Sequence, residues 1–234
     1  MLPKVSVHRF CCAAFSDMDN YRRLVGDALI DEIAALAREL SGVRVCHVNS
    51  TGFGGGVAEL LSRHVPLTNA VGIHADWRLI QGTPEFFTVT KALHNALQGA
   101  AHELTEAEKA IYLHVNRESA KLLEARYDVF IVHDPQPAAF REAVGPNGAK
   151  WIWRCHIDTS APNPEVAEFL LPFIQGYDAT VFTMEQFLLP GLQPRRAAFI
   201  APAIDPFSTK NMELPPSLCR EVIANAGIDT HRPL

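Results

Sequence analysis

The chain has 234 residues, which is enough for one large domain or two small ones with a sizeable core. Its 48% hydrophobic and 20% charged residues are typical of a soluble globular protein, and a net charge of -5 without a basic block argues against nucleic acid as a partner. No uncharged apolar run approaches the roughly 18 residues that a membrane span needs, so we expect no membrane partner either.

The N-terminal stretch MLPKVSVHRFCCAAFSD lacks a long apolar region, so the sequence predicts no signal peptide. The chain has five cysteines without a CxxC pair, and Cys46 and Cys155 lie in apolar, strand-like runs. We therefore expect these two residues to be buried thiols, and the chain to be reduced and cytoplasmic.

Apolar residues recur at helical spacing between residues 19 and 40 and predict a helix there. They are Leu29, Ile33, Leu36 and Leu40. A Ser-Gly pair at 41–42 would end this helix. We therefore expect an N-terminal extension with a helix at residues 1–42, followed by a Rossmann-like domain at residues 43–234.

From residue 43 onward, predicted strands alternate with predicted helices. The strand-like stretches are short and mostly apolar, and in chain order they are VRVCHVNS, IHADWRLIQ, YDVFIVHD, AKWIWRCHID, DATVFTM and RAAFIAPAID. The helical stretches are residues 57–70, PEFFTVTKALHNALQ, TEAEKAIYLHVNRESAKLLEARY, residues 164–175 and PPSLCREVIANAGI. Thr105 and Glu108 predict a capping box. The alternation predicts an α/β fold, a parallel sheet with helices on both faces, whose ligands bind outside the carboxyl ends of the strands.

Three consecutive glycines, Gly54, Gly55 and Gly56, stand between the first predicted strand and a helix in HVNSTGFGGGVAELL. Glycine allows positive φ and a close approach of ligand to backbone N–H groups, and a helix N-terminus favours an anion. A phosphate or an oxygen-rich sugar therefore fits this turn, and a flexible turn without a ligand is the alternative. No Gly-Lys-Ser/Thr follows, which excludes a P-loop, and Val57 stands where a dinucleotide fingerprint needs its third glycine.

Histidine and aspartate follow two further predicted strands, as His133 and Asp134 in IVHDPQP and as His156 and Asp158 in RCHID. Because parallel strands end at one edge of a sheet, these side chains are expected to converge there. A structural, partly buried role is the alternative for each histidine alone. Together with His47, the histidines could supply three metal ligands, but no HExxH-like motif supports a metal and we predict none.

Trp77, Trp151 and Trp153 lie in or beside predicted strands, and strand alternation puts the last two on the same face. Core packing is the expected role of most of them. The helical stretch FFTVTKALHNALQG has a mostly apolar stripe, whereas Asn95 and its polar neighbours could face a polar cleft.

Five stretches carry a resemblance to a known family: HVNSTGFGGGVAELL, FFTVTKALHNALQG, VHDPQPAA, WRCHIDTSAPN and PAIDPFSTKN. In this order they resemble the N-terminal half of glycosyltransferring trehalose synthases, which are retaining glycosyltransferases with the GT-B fold (group 1, family-four type). The likeness runs from about Val45 to Asn211. Five stretches in the right order are highly specific, whereas the triple glycine alone would be a weak signal.

The resemblance implies two Rossmann-like domains that face each other across a cleft. The first would hold the sugar acceptor, and the second would bind the nucleotide of a donor such as UDP-glucose or ADP-glucose. Glucose would be transferred to glucose with retention of configuration to form trehalose, without a cofactor. In such a front-face displacement the protein supplies placement and charge stabilisation more than a covalent step.

The resemblance also implies roles for single residues. Gly54, Gly55 and Gly56 would cradle the donor phosphates and the transferred sugar, and His156 would touch the donor glucose near the reacting centre. Three residues are expected to bind the acceptor sugar: Asp134, Trp77 and Asn95.

The sequence stops at GIDTHRPL, where the second domain of the family would begin. We therefore expect this chain to be inactive alone, with its cleft face open to that domain or to self-association. The alternatives are half of a trehalose phosphorylase-like enzyme, a metal-dependent hydrolase that uses the His and Asp strand ends, and a non-catalytic sugar-binding domain.

Overall fold

A computed structural model describes residues 1–6, 18–124, 126–208, 211 and 213–228 of the chain. Within these residues the sheet has six short strands: β1 Arg44–Asn49, β2 His74–Leu79, β3 Val129–His133, β4 Lys150–Arg154, β5 Ala179–Phe182 and β6 Ala197–Phe199. The helices are α1 Met18–Val25, α2 Asp27–Glu39, α3 Gly55–Ala70, α4 Pro84–Leu97, α5 Glu106–Lys121, α6 Phe140–Val144, α7 Pro164–Gln175 and α8 Pro216–Asn225.

The strands all run parallel, in the order β2-β1-β3-β4-β5-β6, which confirms the predicted parallel sheet. The chain runs outward from β1 to β2 and then returns past β1 to form β3 on its other side. The strand order therefore reverses between β1 and β3. In open α/β sheets such a reversal opens a crevice at the carboxyl ends of the two strands, where ligands bind.

One face of the sheet is covered by α3. Ala75 and Trp77 of β2 pack there against Ala58, Leu61 and Val65 of the helix. Leu61 is fully buried, and burying such a side chain stabilises the fold by roughly 1.5–3 kcal/mol.

The opposite face carries the larger core. Val48, Phe130 and Trp153 of the central strands share one cluster with buried residues of α4, α5, α6 and α7. Helices thus lie on both faces of the sheet, as the alternation of strands and helices predicted. Cys46 and Cys155 are free, buried thiols, which confirms their expected burial.

The N-terminal helix differs from the prediction. In place of one helix over residues 19–40, α1 and α2 are separated by Gly26, whose φ of 83° breaks the right-handed helical path. Leu29, Leu36 and Leu40 of the predicted apolar face are 44%, 54% and 47% exposed. Ile30 and Ala37 are the buried residues of α2, so the periodicity predicted a helix but placed its buried face wrongly.

The end of α5 and the presence of α6 also depart from the sequence pattern. The helix α5 ends at Lys121 rather than near residue 127, and Leu122 O, just beyond its end, accepts a hydrogen bond from Leu2 N at 2.8 Å. The five-residue α6 was not predicted, since it is too short to show periodicity. The capping box of α5 is confirmed: Thr105 N donates to Glu108 Oε2 at 2.9 Å, and Glu108 N donates to Thr105 Oγ1 at 3.2 Å.

The chain forms two compact units, Met1–Ala203 and Ile204–Leu234. The first contains the whole sheet, and the second contains α8, in which no residue is buried. The division drawn at residue 43 lies inside the first unit, one residue before β1. Among the helices in the described ranges, none is long and apolar enough to cross a membrane.

Candidate functional site

The glycine turn follows the carboxyl end of β1, beside the strand-order reversal at which sheets of this kind bind their ligands. Gly54 and Gly55 have φ values of 70° and 77°, in the region that only glycine enters at little cost. A Cβ added at either would meet nothing within 4 Å, so conformation rather than crowding requires glycine there. Asn49 at the end of β1 holds the entry to the turn, donating to Thr51 O at 3.1 Å and accepting from Ser50 N at 2.7 Å.

This turn leads directly into α3. Gly54 is the N-cap of that helix, and no side chain caps the first turn. The first backbone N–H groups of a helix have no partner within the helix and carry its positive partial charge. The turn and the helix therefore present a concentrated set of backbone donors beside the crevice. Phe53, in the same turn, is 86% exposed.

Asp134 follows β3, the strand beside β1, and is held by three hydrogen bonds. Its N donates to Arg154 O at 2.9 Å, its O accepts from Trp153 Nε1 at 3.0 Å, and its Oδ1 accepts from His156 N at 2.8 Å. Its φ is 63°, and among the non-glycine residues that the structure describes it is the one with a positive φ. A left-handed conformation in a non-glycine residue is found preferentially at functional sites, where the surroundings hold it in place.

Burial raises the pKa of the Asp134 carboxyl to about 7, against the opposing effects of the His156 N–H and of Arg154. The residue is only 6% exposed, so its charged form loses most of its hydration. A carboxyl group whose pKa lies near neutral pH can both accept and release a proton there.

Three histidines form a hydrogen-bonded chain that ends at His156, whose backbone N–H donates to Asp134. His47 Nδ1 lies 3.0 Å from His133 Nε2, and His133 Nδ1 lies 2.9 Å from His156 Nε2. The ring planes of the two pairs lie 28° and 19° from parallel, with centroids 5.3 and 5.2 Å apart, so the rings meet edge to edge through these bonds. The strand register explains the positions of the three histidines. His47 pairs with Ile131, two residues before His133, and His133 pairs with Arg154, two residues before His156. All three rings therefore point to one face of the sheet.

Burial keeps these histidines neutral. It lowers the pKa of His47 to about 3, that of His133 well below its ordinary value and that of His156 to about 4. Their facing nitrogens point at one another rather than at a common centre. In the part of the chain that the structure describes, no group of three or more His, Cys, Asp or Glu residues is placed to hold a metal ion.

Arg154 lies beside this chain and is 8% exposed. Its guanidinium donates to Phe182 O at 3.2 Å and to Ile200 O at 2.6 Å, so it ties the end of β4 to β5 and to the residue after β6. Its positive charge favours the ionised form of Asp134 and the neutral forms of His133 and His156.

The other predicted residues lie in different settings. Trp77 is 1% exposed beneath α3, which favours core packing over the predicted contact with an acceptor sugar. Asn95 is exposed near the C-terminal end of α4, where Ala96 O accepts from Asn163 N at 2.8 Å, in the segment after β4. Asp158 is exposed and accepts from Ser160 N, so it stands outside the buried cluster.

Sequence reasoning did not assign Arg154, or the anchoring role of Trp153, to the site. It considered His47 only as a metal ligand, and it expected His133 to lie near Asp134 and His156 without a hydrogen-bonded chain. Each of the two later histidines lies two residues beyond the register partner of the histidine on the preceding strand. This offset was the available signal, but it can be used only once β1, β3 and β4 are known to be neighbours.

Comparisons with known proteins identify the family of the chain. Residues 47–189 match the family of the trehalose synthase N-terminal domain. Trehalose synthase from Rubrobacter xylanophilus is 46% identical over 219 residues, which cover 92% of this chain and 53% of that protein. Trehalose synthase from Pyrococcus horikoshii is 43% identical, over 93% of this chain and 52% of that protein. A trehalose phosphorylase from Pleurotus pulmonarius is 26% identical, over 86% of this chain and 30% of that protein.

Two solved structures show the same fold. The trehalose-6-phosphate synthase OtsA has a TM-score of 0.54 and 18% identity, over 79% of this chain and 55% of that chain. A trehalose-6-phosphate synthase from a study of bisubstrate glycomimetics has a TM-score of 0.51 and 18% identity, over 76% of this chain and 53% of that chain. The fold is thus that of GT-B glycosyltransferases, and the chain spans about half the length of the trehalose synthases that it matches. Since the family match covers well over half of its residues, the chain belongs to the trehalose synthase family and carries the N-terminal domain of that family.

Proposed function

We propose that the chain is the acceptor-binding part of a retaining glycosyltransferase, which transfers glucose from a nucleotide sugar to glucose and forms trehalose. The observation that supports this proposal is that an uncapped helix N-terminus follows β1 and the hydrogen-bonded Asp134–His156 pair follows β3 and β4, at the edge where the strand order reverses. Backbone N–H groups suit phosphate oxygens and a carboxylate suits sugar hydroxyls, so the two sides match the two substrates.

In this proposal each side of the crevice has its own task. The turn at Gly54, Gly55 and Gly56 contacts the donor phosphates and the transferred sugar from the acceptor side. Asp134 accepts a hydrogen bond from a hydroxyl group of the acceptor glucose. His156 contacts the donor glucose beside the reacting carbon. Asn95, which is exposed at the end of α4, is the second acceptor contact.

The proposed reaction is a front-face displacement. The bond from the anomeric carbon to the leaving phosphate oxygen breaks, and a bond from the same carbon to the acceptor oxygen forms on the same side. The proton of the acceptor hydroxyl passes to the leaving phosphate oxygen. The residues named above would act by placement and by stabilising charge, and no covalent bond to the protein would form.

The donor nucleotide is proposed to bind outside these 234 residues. The trehalose synthases that match are about twice as long as the chain, and the matched part corresponds to only 53% and 52% of them. We therefore propose that the chain alone does not turn over, and that a second domain, or a second copy of the chain, meets the cleft face.

The experiment joins residues 1–234 to the part of the Rubrobacter xylanophilus trehalose synthase that lies beyond the match. The fusion is given glucose with UDP-glucose or ADP-glucose, and trehalose is measured. A fusion with His114→Ala, an exposed residue of α5, serves as the matched control and should behave like the parent. A folded fusion that binds both sugars but forms no trehalose would contradict the proposal.

The same assay separates the synthase from a phosphorylase. The chain is 46% and 43% identical to trehalose synthases but 26% identical to a trehalose phosphorylase, which favours the former. Trehalose cleavage that depends on inorganic phosphate, without any use of nucleotide sugars, would replace the synthase proposal with the phosphorylase one.

A further inference from the structure

The N-terminal segment, residues 1–6, runs along the outer edge of the sheet, antiparallel to β2. Val5 N donates to Trp77 O at 2.9 Å, and Leu79 N donates to Pro3 O at 3.0 Å. An antiparallel bridge joins the residues between these two bonds. Because β2 is the edge strand of the six-stranded sheet, the segment pairs with backbone groups that an edge strand would otherwise leave open.

Further contacts fix the position of the N-terminal segment. Leu2 is 1% exposed in the larger core, and its N donates to Leu122 O at 2.8 Å. The O of Leu2 accepts from Arg78 Nη1 at 3.0 Å. The Lys4 ammonium forms an ion pair with the Asp76 carboxylate of β2. The segment is therefore an anchored part of the sheet edge, which can in turn support whatever packs against it.

The glycine turn packs against this segment at Gly52. A Cβ added to Gly52 would lie 3.3 Å from Val5 Cγ2 and 3.3 Å from Leu79 Cδ1, which is closer than ordinary van der Waals contact. Gly52 has no positive φ, so crowding rather than conformation requires glycine there. The opposite holds at Gly54 and Gly55, where φ is positive and an added Cβ would meet nothing within 4 Å. Gly52 is therefore a point at which the turn lies directly on the N-terminal segment and on the end of β2.

We propose that Val5 is a positioning residue, through which the N-terminal segment holds the glycine turn in place. Gly52 precedes Gly54, the N-cap of α3, by two residues, so a fixed Gly52 limits where the first N–H groups of that helix point. Phe53 between them is 86% exposed and adds little packing. The inference rests on the proposed function for the ligand, the donor phosphates that these N–H groups would meet. Groups that already point correctly need no ordering when a ligand binds.

The test measures the order of the turn by nitrogen-15 NMR relaxation of the 234-residue chain, without any sugar. In the parent the amides of residues 54–56 should have order parameters of about 0.8, close to those of rigid backbone. Val5→Ala removes the methyl groups nearest to Gly52, and these order parameters should fall to about 0.6 or less. Val45→Ala is the matched control. Val45 is also a half-buried valine packed against the core beneath α3, but it is not among the side chains nearest to Gly52. Its loss should lower the stability by a similar amount and leave the turn ordered.

A second pair of variants tests the contact itself by complementation. Gly52→Ala alone puts a methyl group 3.3 Å from Val5 Cγ2, so it should displace the turn and shift the NMR signals of its amides. In the double variant Val5→Ala/Gly52→Ala the added methyl group takes up space that the deleted ones leave. The order parameters of the turn should then return towards the parent values. A loss of order that came only from lower overall stability would not be reversed by this second substitution.

Each outcome decides without any turnover. A parent turn that is already mobile, a folded Val5→Ala variant with an unchanged turn, or an equal loss of order in Val45→Ala overturns the proposal. A double variant that stays as mobile as Val5→Ala does so too. If Val5→Ala does not fold, Gly52→Ala in the parent sequence decides, and unchanged amide signals in the turn would overturn the proposal. Because no sugar is present, failure to make trehalose in the fusion leaves this result standing, and failure here leaves the proposed function open to its own test.

Discussion

The Asp134→Asn substitution tests whether the fold holds a carboxyl group in this crevice at a cost to stability. Asparagine has nearly the same shape, and its Oδ1 can still accept the hydrogen bond from His156 N that is 2.8 Å long in the parent chain. Asparagine also tolerates the left-handed conformation that φ of 63° requires, so the change adds no backbone strain. The substitution removes the ability to carry a negative charge and replaces one carboxylate oxygen by an NH2 group.

The magnitude follows from the raised pKa of Asp134. The folded chain binds this proton more tightly than the unfolded chain, because burial raises the pKa from 3.8 to about 7. The carboxyl group therefore favours folding most strongly below pH 3.8 and loses this contribution as the pH rises to about 7. A difference of about three pH units, at about 1.4 kcal/mol each, corresponds to about 4 kcal/mol. Near pH 8 Asp134→Asn should thus be more stable than the parent by up to about 4 kcal/mol.

Urea unfolding of the parent and of Asp134→Asn, at about pH 4.5 and about pH 8, measures this difference. The gain should be large at the higher pH and fall to about 1 kcal/mol at the lower one. The buried histidines titrate in both proteins alike and cancel in the comparison. Asp158→Asn is the matched control, because that carboxylate is exposed, accepts from Ser160 N and should gain nothing at the higher pH.

A stability difference that is the same at both pH values, or a less stable Asp134→Asn at the higher pH, would refute this reasoning. The same substitution should harm function in the fusion protein. It should raise the apparent KM for glucose and lower kcat, because the amide presents a weaker acceptor to the sugar hydroxyl. A variant that is more stable but less active marks a group kept for function rather than for folding.

Three other predictions concern the turn, the histidine and the donor. Gly55→Ala should destabilise the chain by about 1–2 kcal/mol in urea unfolding, because alanine is strained at φ of 77°. Gly56→Ala should not, because Gly56 has no positive φ and a Cβ added there would meet nothing within 4 Å. Equal effects of the two substitutions would contradict the conformational role of Gly55. In the fusion, His156→Ala should lower turnover by about 10²-fold or more, equivalent to about 2.7 kcal/mol, with little change in melting temperature. A variant that melts at a low temperature but keeps normal rates in the cold would mean that His156 is structural. Calorimetry of residues 1–234 with UDP-glucose and ADP-glucose should detect weak binding or none, and tight binding would place the nucleotide site within this chain.

Much of the sheet could be predicted because its strands are short apolar runs bounded by turn residues. VFIVH and KWIWR are mostly apolar runs with buried residues at alternate positions, and such runs separated by helical stretches indicate parallel strands. Thr105 and Glu108 marked the start of α5 because their spacing fits reciprocal bonds with the helix N-terminus. The break at Gly26 was missed because a single glycine is tolerated in many helices.

The site was predicted only in outline, since its geometry depends on which strands are neighbours. The sequence locates His47, His133 and His156 near strand ends, but not that β3 lies between β1 and β4. Without that order, three histidines are as compatible with a metal site as with a hydrogen-bonded chain. Trp77 pairs with His47 in the strand register and therefore lies on the same face of the sheet as the histidines, but it is 1% exposed beneath α3, which favours a core role. Its contact with an acceptor sugar stays a prediction.

The polar cluster at the β1/β3 reversal is difficult to explain as a device for folding. His47, His133 and Asp134 are 2%, 3% and 6% exposed, and each loses hydration that its hydrogen bonds replace only in part. Elsewhere on the same strands comparable positions are filled by residues such as Val48 and Val132, which are buried at no such cost. Replacing a buried polar cluster by apolar residues of similar volume is often neutral or stabilising. A cluster that opposes folding, and that lies where sheets of this order bind their ligands, is therefore best explained by the ligand, and the stability gain expected of Asp134→Asn measures one part of that opposition.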